Sequence, residues 1–451
     1  MKKILAVLVI LAMMTTMLAC GGAGKKEEPA APANPAKQDA QTADTSQEAD
    51  QKDASSDEQI TLTFMRMGSP EQATPIFEPI IKQYEEEHPN IKIDFSVIGW
   101  AEALTKSKLL FSSGQFPDVG FMSQIGYEFA EQGLLLDLTP YFEKDKEFAE
   151  NFTPSVLESV KYKDKIYWSP CAVGAFSLWY NADIFKQAGL DPEKPPQTLD
   201  ELLDYAETIK QKTGIPGLAV GAKAESDLTH VFMSVYASNA GESLWNSSEQ
   251  RLTFEDHKDA AIKSIAYMRE MVERDIHQPN PIEIDFYGGR PLFRDHQVGM
   301  ILDGVWALKE FRSQLEDGTE TLRTASFPSG DAGCSSLMGI GGWAIPSSCE
   351  HPDEAWEFIK YLQNTENQSS HGDQWGLLPI LKSQKELPQY QEYYWEPLIN
   401  QTETSHGIIA HPETTFIETT IAQQISDAMM GKQTPEETFD NIVKTVNDKI
   451  N

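Results

Sequence analysis

The sequence predicts an α/β protein with two lobes, and two observations carry this prediction. Apolar residues alternate over residues 60–64 and again over 91–97, and between them an amphipathic helix is predicted to begin at Thr74-Pro75. Strand, helix and strand in this order favour a parallel sheet covered by helices. The folded part is about 390 residues long, which is too much for one compact core and natural for two.

Later helices have recognisable ends. Thr198 and Glu201 form a capping box before a helix that Gly214 ends, and Thr434 caps the C-terminal helix. The segment "HPDEAWEFIKYLQ" predicts a further helix with Trp356 on its buried face.

The N-terminus reads as a targeting segment rather than as part of the fold. Residues 1–19 combine a positive start with an apolar run too short to span a membrane, which is typical of a signal peptide. Ala19-Cys20-Gly21 is typical of a bacterial lipobox, so Cys20 is predicted to become lipidated. The alternative is an ordinary signal peptide with an incidental cysteine. Residues 20–57 contain no large apolar side chain, which predicts a disordered tether. We therefore expect an extracytoplasmic protein, lipid-anchored to the bacterial cell membrane.

Charge and cysteine content limit the function further. The formal net charge of −32 argues against nucleic acid or an anionic membrane surface as a partner. Besides Cys20 the chain contains Cys171, Cys334 and Cys349. Because three cysteines cannot all pair within one chain, no disulfide framework is implied. A bridge between Cys334 and Cys349 and a pair of free thiols both remain open.

The search for catalytic motifs finds none. Histidines at metal-binding spacing, a nucleophile motif and a phosphate-binding loop are all missing from the sequence. Close pairs of carboxylates are uninformative, because 69 acidic residues supply such pairs by chance. We therefore predict a protein that is not an enzyme and that uses no cofactor or metal.

Aromatic residues beside glycines at predicted strand ends suggest a binding site instead. Trp306, Trp343 and Trp375 lie in the segments "MILDGVWALKEF", "GIGGWAIP" and "GDQWGLLP". A tryptophan with an open face can stack on the apolar C–H face of a sugar ring, while polar groups bind the hydroxyls. The alternative for each tryptophan is a place in the core.

Five segments, in order, resemble extracellular solute-binding protein family 1, the carbohydrate-binding proteins of ABC importers that include maltose-binding protein. The resemblance covers nearly all of residues 60–451. The segments are "SGQFPDVGFMSQIGYEFAEQGLLLDLTPYF", "YKDKIYWSPCAVGAFSLWYNADIFKQAGLDPEKPPQTLDELL", "FRDHQVGMILDGVW", "GGWAIPSSCEHPDEAWEFIKYLQ" and "GKQTPEETFDNIVKTVNDKI".

This resemblance implies a fold and a function. The fold is the two-lobed periplasmic-binding-protein-like fold (type II), with a hinge and a ligand cleft between the lobes. Lobe one comprises residues 58–172 and 328–372, and lobe two comprises 173–327 and 373–451. The function is capture of a sugar or oligosaccharide by a monomer, which delivers it to the transmembrane subunits of an ABC permease.

The resemblance also implies ligand-binding residues. Trp306 is expected to be the stacking platform, and Asp303 is expected to accept sugar hydroxyls. The remaining expected ligand-binding residues are Arg66, Glu71, Gln72, Met122, Ser123, Gln124, Gly174, Phe176, Trp343, Trp375 and Glu418. Gly174, Met122 and Glu418 replace an acidic residue and two aromatic residues of the maltose-binding member, which points to a ligand other than maltose.

Two rival functions remain open at this point. The same fold could bind a polyamine, an iron chelate or an amino acid derivative, and the acidic charge would suit a cation. A surface-anchored glycoside hydrolase would need an acid and a base facing each other across the cleft. The sequence identifies no such pair.

Overall fold

The computed structural model describes residues 59–450, except residues 286 and 313–320. The predicted signal peptide (1–19), the lipidation site Cys20 and the tether (20–57) lie outside the described residues.

Strands and helices alternate along most of the described chain. The strands are β1 (Ile60–Met67), β2 (Ile91–Ile98), β3 (Val119–Met122), β4 (Lys161–Tyr162), β5 (Lys165–Ile166), β6 (Ser169–Asn181), β7 (Trp245–Asn246), β8 (Arg251–Leu252), β9 (Met300–Gly304), β10 (Leu322–Ala325), β11 (Leu337–Ala344) and β12 (His406–Gly407). The helices are α1 (Pro70–Glu87), α2 (Trp100–Ser112), α3 (Gly126–Glu131), α4 (Thr139–Lys144), α5 (Lys146–Asn151), α6 (Pro154–Ser159), α7 (Ala182–Ala188), α8 (Leu199–Thr213), α9 (Ser226–Ala240), α10 (Lys258–Glu273), α11 (Gly289–Arg294), α12 (Leu308–Phe311), α13 (Pro352–Leu362), α14 (Thr365–Trp375), α15 (Trp395–Gln401), α16 (Thr414–Met429) and α17 (Pro435–Ile450).

The predicted strand–helix–strand unit is present at the start of the fold. β1 and β2 pair in parallel over their full lengths, from Ile60 opposite Ile91 to Met67 opposite Ile98. The helix α1 between them begins at Pro70 rather than at Thr74-Pro75, so its predicted start was wrong. Pro70 occupies the first turn, where a backbone N–H has no partner within the helix and proline is tolerated.

The main sheet has eight strands and mixes parallel with antiparallel pairs. Its order is β2-β1-β3-β11-β6-β10, with β9 also paired to β6 and β12 also paired to β11. β1 and β3 are parallel, whereas β11 runs antiparallel to both β3 and β6. The carboxyl ends of β1 and β3 therefore lie at the same edge of the sheet.

The long strand β6 changes its partners part of the way along its length. Residues Ser169–Ala175 pair with β11, and residues Phe176–Tyr180 pair with β9. β10 pairs with the last part of β6, from Leu178 to Asn181. β6 is thus shared between two parts of the sheet, and the change of partner falls between Ala175 and Phe176, close to the predicted boundary after residue 172. The predicted lobe limits stay a prediction, since the described residues form one compact unit.

The helix caps follow the sequence closely. Thr198 Oγ1 accepts from the Glu201 N–H at 3.1 Å, and Gly214 ends the helix in a left-handed conformation. Thr434 and Glu437 exchange two such bonds, of 3.1 and 2.9 Å, at the start of α17. Thr198 and Thr434 are N-caps as predicted, but the capping box at Thr198 is only half formed, because the Glu201 carboxylate accepts from the Gln197 N–H at 2.7 Å. Trp356 is buried as predicted.

Two further observations concern the state of the cysteines and the apolar character of the helices. Cys171, Cys334 and Cys349 are free thiols in this structure. Among the helices of the described residues, none combines the length and the apolar character that crossing a bilayer requires.

Candidate functional site

Trp306 lies half-exposed at the point where β6 changes partners. It belongs to a short 3-10 helix, Val305–Ala307, that follows β9 directly. An ideal Cβ built on Gly174 would come within 2.5 Å of the indole, one on Gly304 would come closer than 3.0 Å, and one on Gly339 would come to 3.3 Å. One face of the indole therefore rests on three glycines, which we call the glycine floor. The residues on either side of Trp306 are buried, but Trp306 itself is not fully covered.

The three glycines of this floor come from three neighbouring strands. Gly304 ends β9 and stands opposite Phe176 of β6, while Gly174 of β6 stands opposite Gly339 of β11. The indole consequently spans both parts of the sheet that share β6. The ring of Phe176 meets the indole edge-on at 5.5 Å between centroids. Because Phe176 is fully buried, it supports Trp306 and offers no surface to a ligand, which corrects its predicted role.

Trp375 brings a second half-exposed indole to the same region. It ends α14, and the following Gly376 lies against the Val305–Ala307 turn: a Cβ on Gly376 would come to 3.1 Å from both the Val305 carbonyl oxygen and Leu308 Cβ. The Trp375 ring also packs against Gly68, just beyond the carboxyl end of β1. The chain therefore carries Trp306 and Trp375 on adjacent pieces of backbone.

Arg66 is buried directly beneath Trp375. Its guanidinium carbon lies 4.2 Å from the Trp375 ring centroid and 4.0 Å from that of Phe121, at cation–π distance from both. Its Nη1 donates to the Met67 carbonyl oxygen. Burial lowers the pKa of Arg66 to about 10. With 1% of its surface exposed, Arg66 stiffens the support of Trp375 and is not open to a solute, which corrects its predicted role as a ligand contact.

The residues after β1 and β3 are divided between surface and core. Glu71 and Gln72 are exposed in the first turn of α1, and Ser123 and Gln124 are half-exposed after β3. Met122 is fully buried, so its predicted contact with ligand is wrong for this structure. All four residues of β3 are buried, so both faces of this strand are covered, whereas Ser123 and Gln124 follow the end of the strand.

Trp343 lies in the core and not at a site. Its side chain is 0% exposed and packs against Phe64, Phe77 and Phe121 at centroid distances of 5.1–5.7 Å. The neighbouring glycines serve other contacts, because a Cβ on Gly341 would collide with Phe121 and one on Gly342 with the Ser169 backbone. The predicted ligand contact of Trp343 was therefore wrong.

Asp303 is also withdrawn from solvent. It is 0% exposed, and its two carboxylate oxygens accept from Arg290 at 2.7 and 3.0 Å and from the Gly304 N–H at 2.7 Å. Burial opposes the charged form of Arg290, but Asp303 and Glu310 more than offset this and raise the pKa of Arg290. Because the carboxylate is already bound on both oxygens, Asp303 anchors the end of β9 and does not accept sugar hydroxyls as predicted.

Glu418 is buried and lies against a half-buried histidine of α9. It is 3% exposed, and its Oε1 lies 3.7 Å from His230 Nε2. Within the described part of the chain, Glu418 Oε1 makes no hydrogen bond. The ring of His230 is 6.3 Å from that of Phe176, which connects the pair to the support of Trp306. The predicted contact between Glu418 and a ligand is not available at the surface of this conformation.

Sequence reasoning missed the glycine floor. It predicted that Gly174 contacts the ligand and did not single out Gly339, whereas both lie inside strands, against the Trp306 indole. An isolated glycine within a strand pattern indicates a close approach by another group, and this signal was present in "CAVGAFSLWY" and "MGIGGWAIP". In the described ranges, no group of three or more His, Cys, Asp or Glu side chains could hold a metal ion.

Comparison with known proteins identifies the family of the chain. The family model described as bacterial extracellular solute-binding protein matches residues 68–369. The chain is 24% identical over 319 residues to the multiple sugar-binding protein of Streptococcus mutans serotype c, covering 68% of this chain and 72% of that one. It is 22% identical over 332 residues to the arabinooligosaccharide-binding protein of Bacillus subtilis (strain 168), covering 70% of this chain and 73% of that one.

A solved structure shows the same fold. It is the ABC transporter solute-binding protein of Thermotoga lettingae TMO bound with α-D-tagatose, which superposes with a TM-score of 0.76 at 24% identity. The superposition covers 86% of this chain and 99% of the other. The described fold is thus that of the two-lobed periplasmic solute-binding proteins.

Proposed function

Because the chain belongs to the bacterial extracellular solute-binding protein family, we propose that it captures a sugar or an oligosaccharide and delivers it to an ABC-type membrane permease. The half-exposed indole of Trp306 carries this proposal. One of its faces rests on the glycine floor, so the other can stack on the C–H face of a sugar ring. The relatives named for multiple sugars and arabinooligosaccharides, and the tagatose-bound structure, support the same ligand class.

The shared strand β6 supplies the hinge of the proposed mechanism. A solute that touches both parts of the sheet stabilises the arrangement in which they are closest, and the empty protein favours the open one. Trp306 would contact the solute from β9, and Gln72, Ser123 and Gln124 would bind hydroxyls from the ends of β1 and β3. Capture and release of this kind involve no covalent step.

The remaining parts of the proposal concern the surroundings of the protein. Cys20 carries a lipid that holds the mature chain to the outer face of the cell membrane. The transmembrane subunits of the permease are its protein partner, and it works as a monomer. The protein needs no cofactor, since stacking and hydrogen bonding suffice for reversible capture.

A thermal-shift experiment tests the ligand class. The melting temperature of the purified protein is measured with maltose, α-D-tagatose, arabinotriose, spermidine and a ferric chelate. A ligand at one hundred times its Kd stabilises the folded state by about 2.7 kcal/mol, so a binding sugar raises the melting temperature by several degrees. A shift with spermidine or the chelate alone would keep the fold and refute the sugar class.

The same sugars also test the rival hydrolase. Each oligosaccharide is incubated with the protein, and the mixture is examined for new reducing ends. The proposal expects the oligosaccharide to be recovered intact. Steady release of monosaccharide would favour a glycosidase and overturn the assignment.

A further inference from the structure

We propose that Gly174, Gly304 and Gly339 are positioning residues, which hold the Trp306 indole flat across the point where β6 changes partners. They would keep one indole face open for a pyranose ring that presents its C–H face. The inference rests on the proposed function for the identity of the ligand, but the positioning itself can be measured without any ligand.

The need for glycine at these positions is one of space and not of backbone conformation. Gly304 has φ −78° and ψ 164°, an extended conformation that alanine adopts freely. Gly174 and Gly339 are likewise outside the set of residues with positive φ. At Gly304 the three atoms nearest to an ideal Cβ all belong to the Trp306 indole, all within 2.5 Å. A side chain at this position would therefore displace the ring.

The three glycines differ in how closely an added Cβ would approach the indole. Gly304 meets the indole most closely, and Gly174 follows, with Trp306 Cε3 at 2.5 Å and Val305 Cγ1 at 2.8 Å from an ideal Cβ. At Gly339 the nearest indole atom is at 3.3 Å, so an added methyl group would require a shift of only a few tenths of an ångström. The effects of alanine on the orientation of Trp306 should follow this order.

The position of the floor gives it a role in binding. Gly304 belongs to β9, and Gly339 belongs to β11, so the indole lies across strands from both parts of the sheet. Because glycine has no side chain, no atom projects from the floor that would tilt the indole when the two parts of the sheet rotate about β6. The open indole face can then keep its orientation towards a sugar ring during closure.

A double-mutant cycle tests the positioning role. The equilibrium constant for unfolding in urea is measured for the unsubstituted protein, Gly304→Ala, Trp306→Ala and the double variant. We expect Gly304→Ala to raise this constant at least about fivefold with Trp306 present and to change it much less with Trp306→Ala, because the collision is then gone. Equal effects in both backgrounds would overturn the proposal.

Two further variants provide a control for the cycle and a replacement for Gly304→Ala. Gly407→Ala in β12 is the matched control, since a Cβ there meets nothing within 4 Å and the φ of Gly407 is not positive. It should leave both stability and sugar binding unchanged. If Gly304→Ala does not fold, Gly339→Ala replaces it in the cycle, because its smaller collision should be tolerated.

Spectroscopy and binding provide readouts that a purely structural glycine would not move. Acrylamide quenching of the Trp306 emission, taken as the difference from Trp306→Phe, should increase in Gly304→Ala as the ring leaves the floor. The affinity for whichever panel sugar raises the melting temperature should fall about tenfold in the same variant. Unchanged quenching and affinity would refute the positioning role. Coupling in the cycle without a shift by any sugar would keep the floor and refute the proposed function instead.

Discussion

Trp343 and Trp306 both lie within two residues of a glycine near the end of a strand, yet one is core and the other is half-exposed. Trp343 is the next-to-last residue of β11 and packs against Phe64, Phe77 and Phe121. Trp306 follows β9, lies on the glycine floor and is only partly buried. The difference shows that a glycine near a tryptophan indicates close packing of another group against the glycine. Whether the tryptophan is also exposed to solvent depends on elements distant in the sequence.

The largest expected effect is on stability, at Trp343. Trp343→Ala should lower the free energy of unfolding by about 3–5 kcal/mol, because it removes a fully enclosed indole and leaves a cavity. Trp306→Ala should cost only about 1–2 kcal/mol, since part of that ring is already in water. Urea denaturation of both variants checks the contrast. Equal losses would mean that Trp306 is also core.

For sugar binding, in contrast to stability, the substitution at Trp306 should have the larger effect. Trp306→Ala should weaken binding of the sugar identified in the thermal-shift panel by about 1–3 kcal/mol, as expected for loss of a stacking platform. Gly407→Ala serves as the control with unchanged affinity. Isothermal titration calorimetry measures both. An unchanged affinity in Trp306→Ala would remove Trp306 from the site.

A smaller, pH-dependent effect is expected beside Trp343. His371 is 2% exposed and lies 6.0 Å from the Trp343 ring and 6.1 Å from the Trp375 ring. Burial, together with the nearby Arg66 charge, holds the pKa of His371 well below its ordinary value of 6.5. Below pH 6.5 the unfolded chain therefore binds a proton that the folded chain does not, so acidification destabilises the fold.

The size of this effect follows from linkage. His371 should contribute a loss of up to about 1.4 kcal/mol for each pH unit below 6.5, until its folded-state pKa is reached. His371→Phe keeps an aromatic ring and removes the titration, so its stability should fall less steeply between pH 6.5 and 5.5. Urea denaturation at both pH values provides the measurement. Identical slopes for the two proteins would show that His371 is not the group responsible.

The local parts of the fold could be predicted because their signals are local. Alternation in β1 and β2 and the caps at Thr198 and Thr434 depend on residues only a few positions apart. The partners of β6 could not be predicted, because twelve of its thirteen residues are buried and such a strand shows no alternation that distinguishes one face from the other. Its change from β11 to β9 is set by contacts across the sheet.

The candidate site was predicted only in outline for the same reason. The segment "DGVW" does not show that Arg290, thirteen positions before Asp303, occupies the carboxylate. Gln72 and Gln124 lie after β1 and β3 and are exposed or half-exposed, so their predicted contact with ligand stays a prediction. Arg66 and Met122 lie inside these strands and are buried. Whether a side chain at a strand end faces solvent depends on what is packed above it, and Trp375 covers Arg66.

The position of β11 within the sheet has a consequence for how the chain reaches its folded state. β11 lies between β3 and β6, but along the chain it follows β7–β10 and α7–α12. Until it is in place, β3 and β6 each present an unpaired edge with open backbone N–H and C=O groups, to which strands of other molecules can add. Closing the sheet also requires contacts of high sequence separation, which slow folding. The full-length protein should therefore fold slowly. A chain truncated before residue 337 should aggregate readily, because the edges of β3 and β6 stay unpaired.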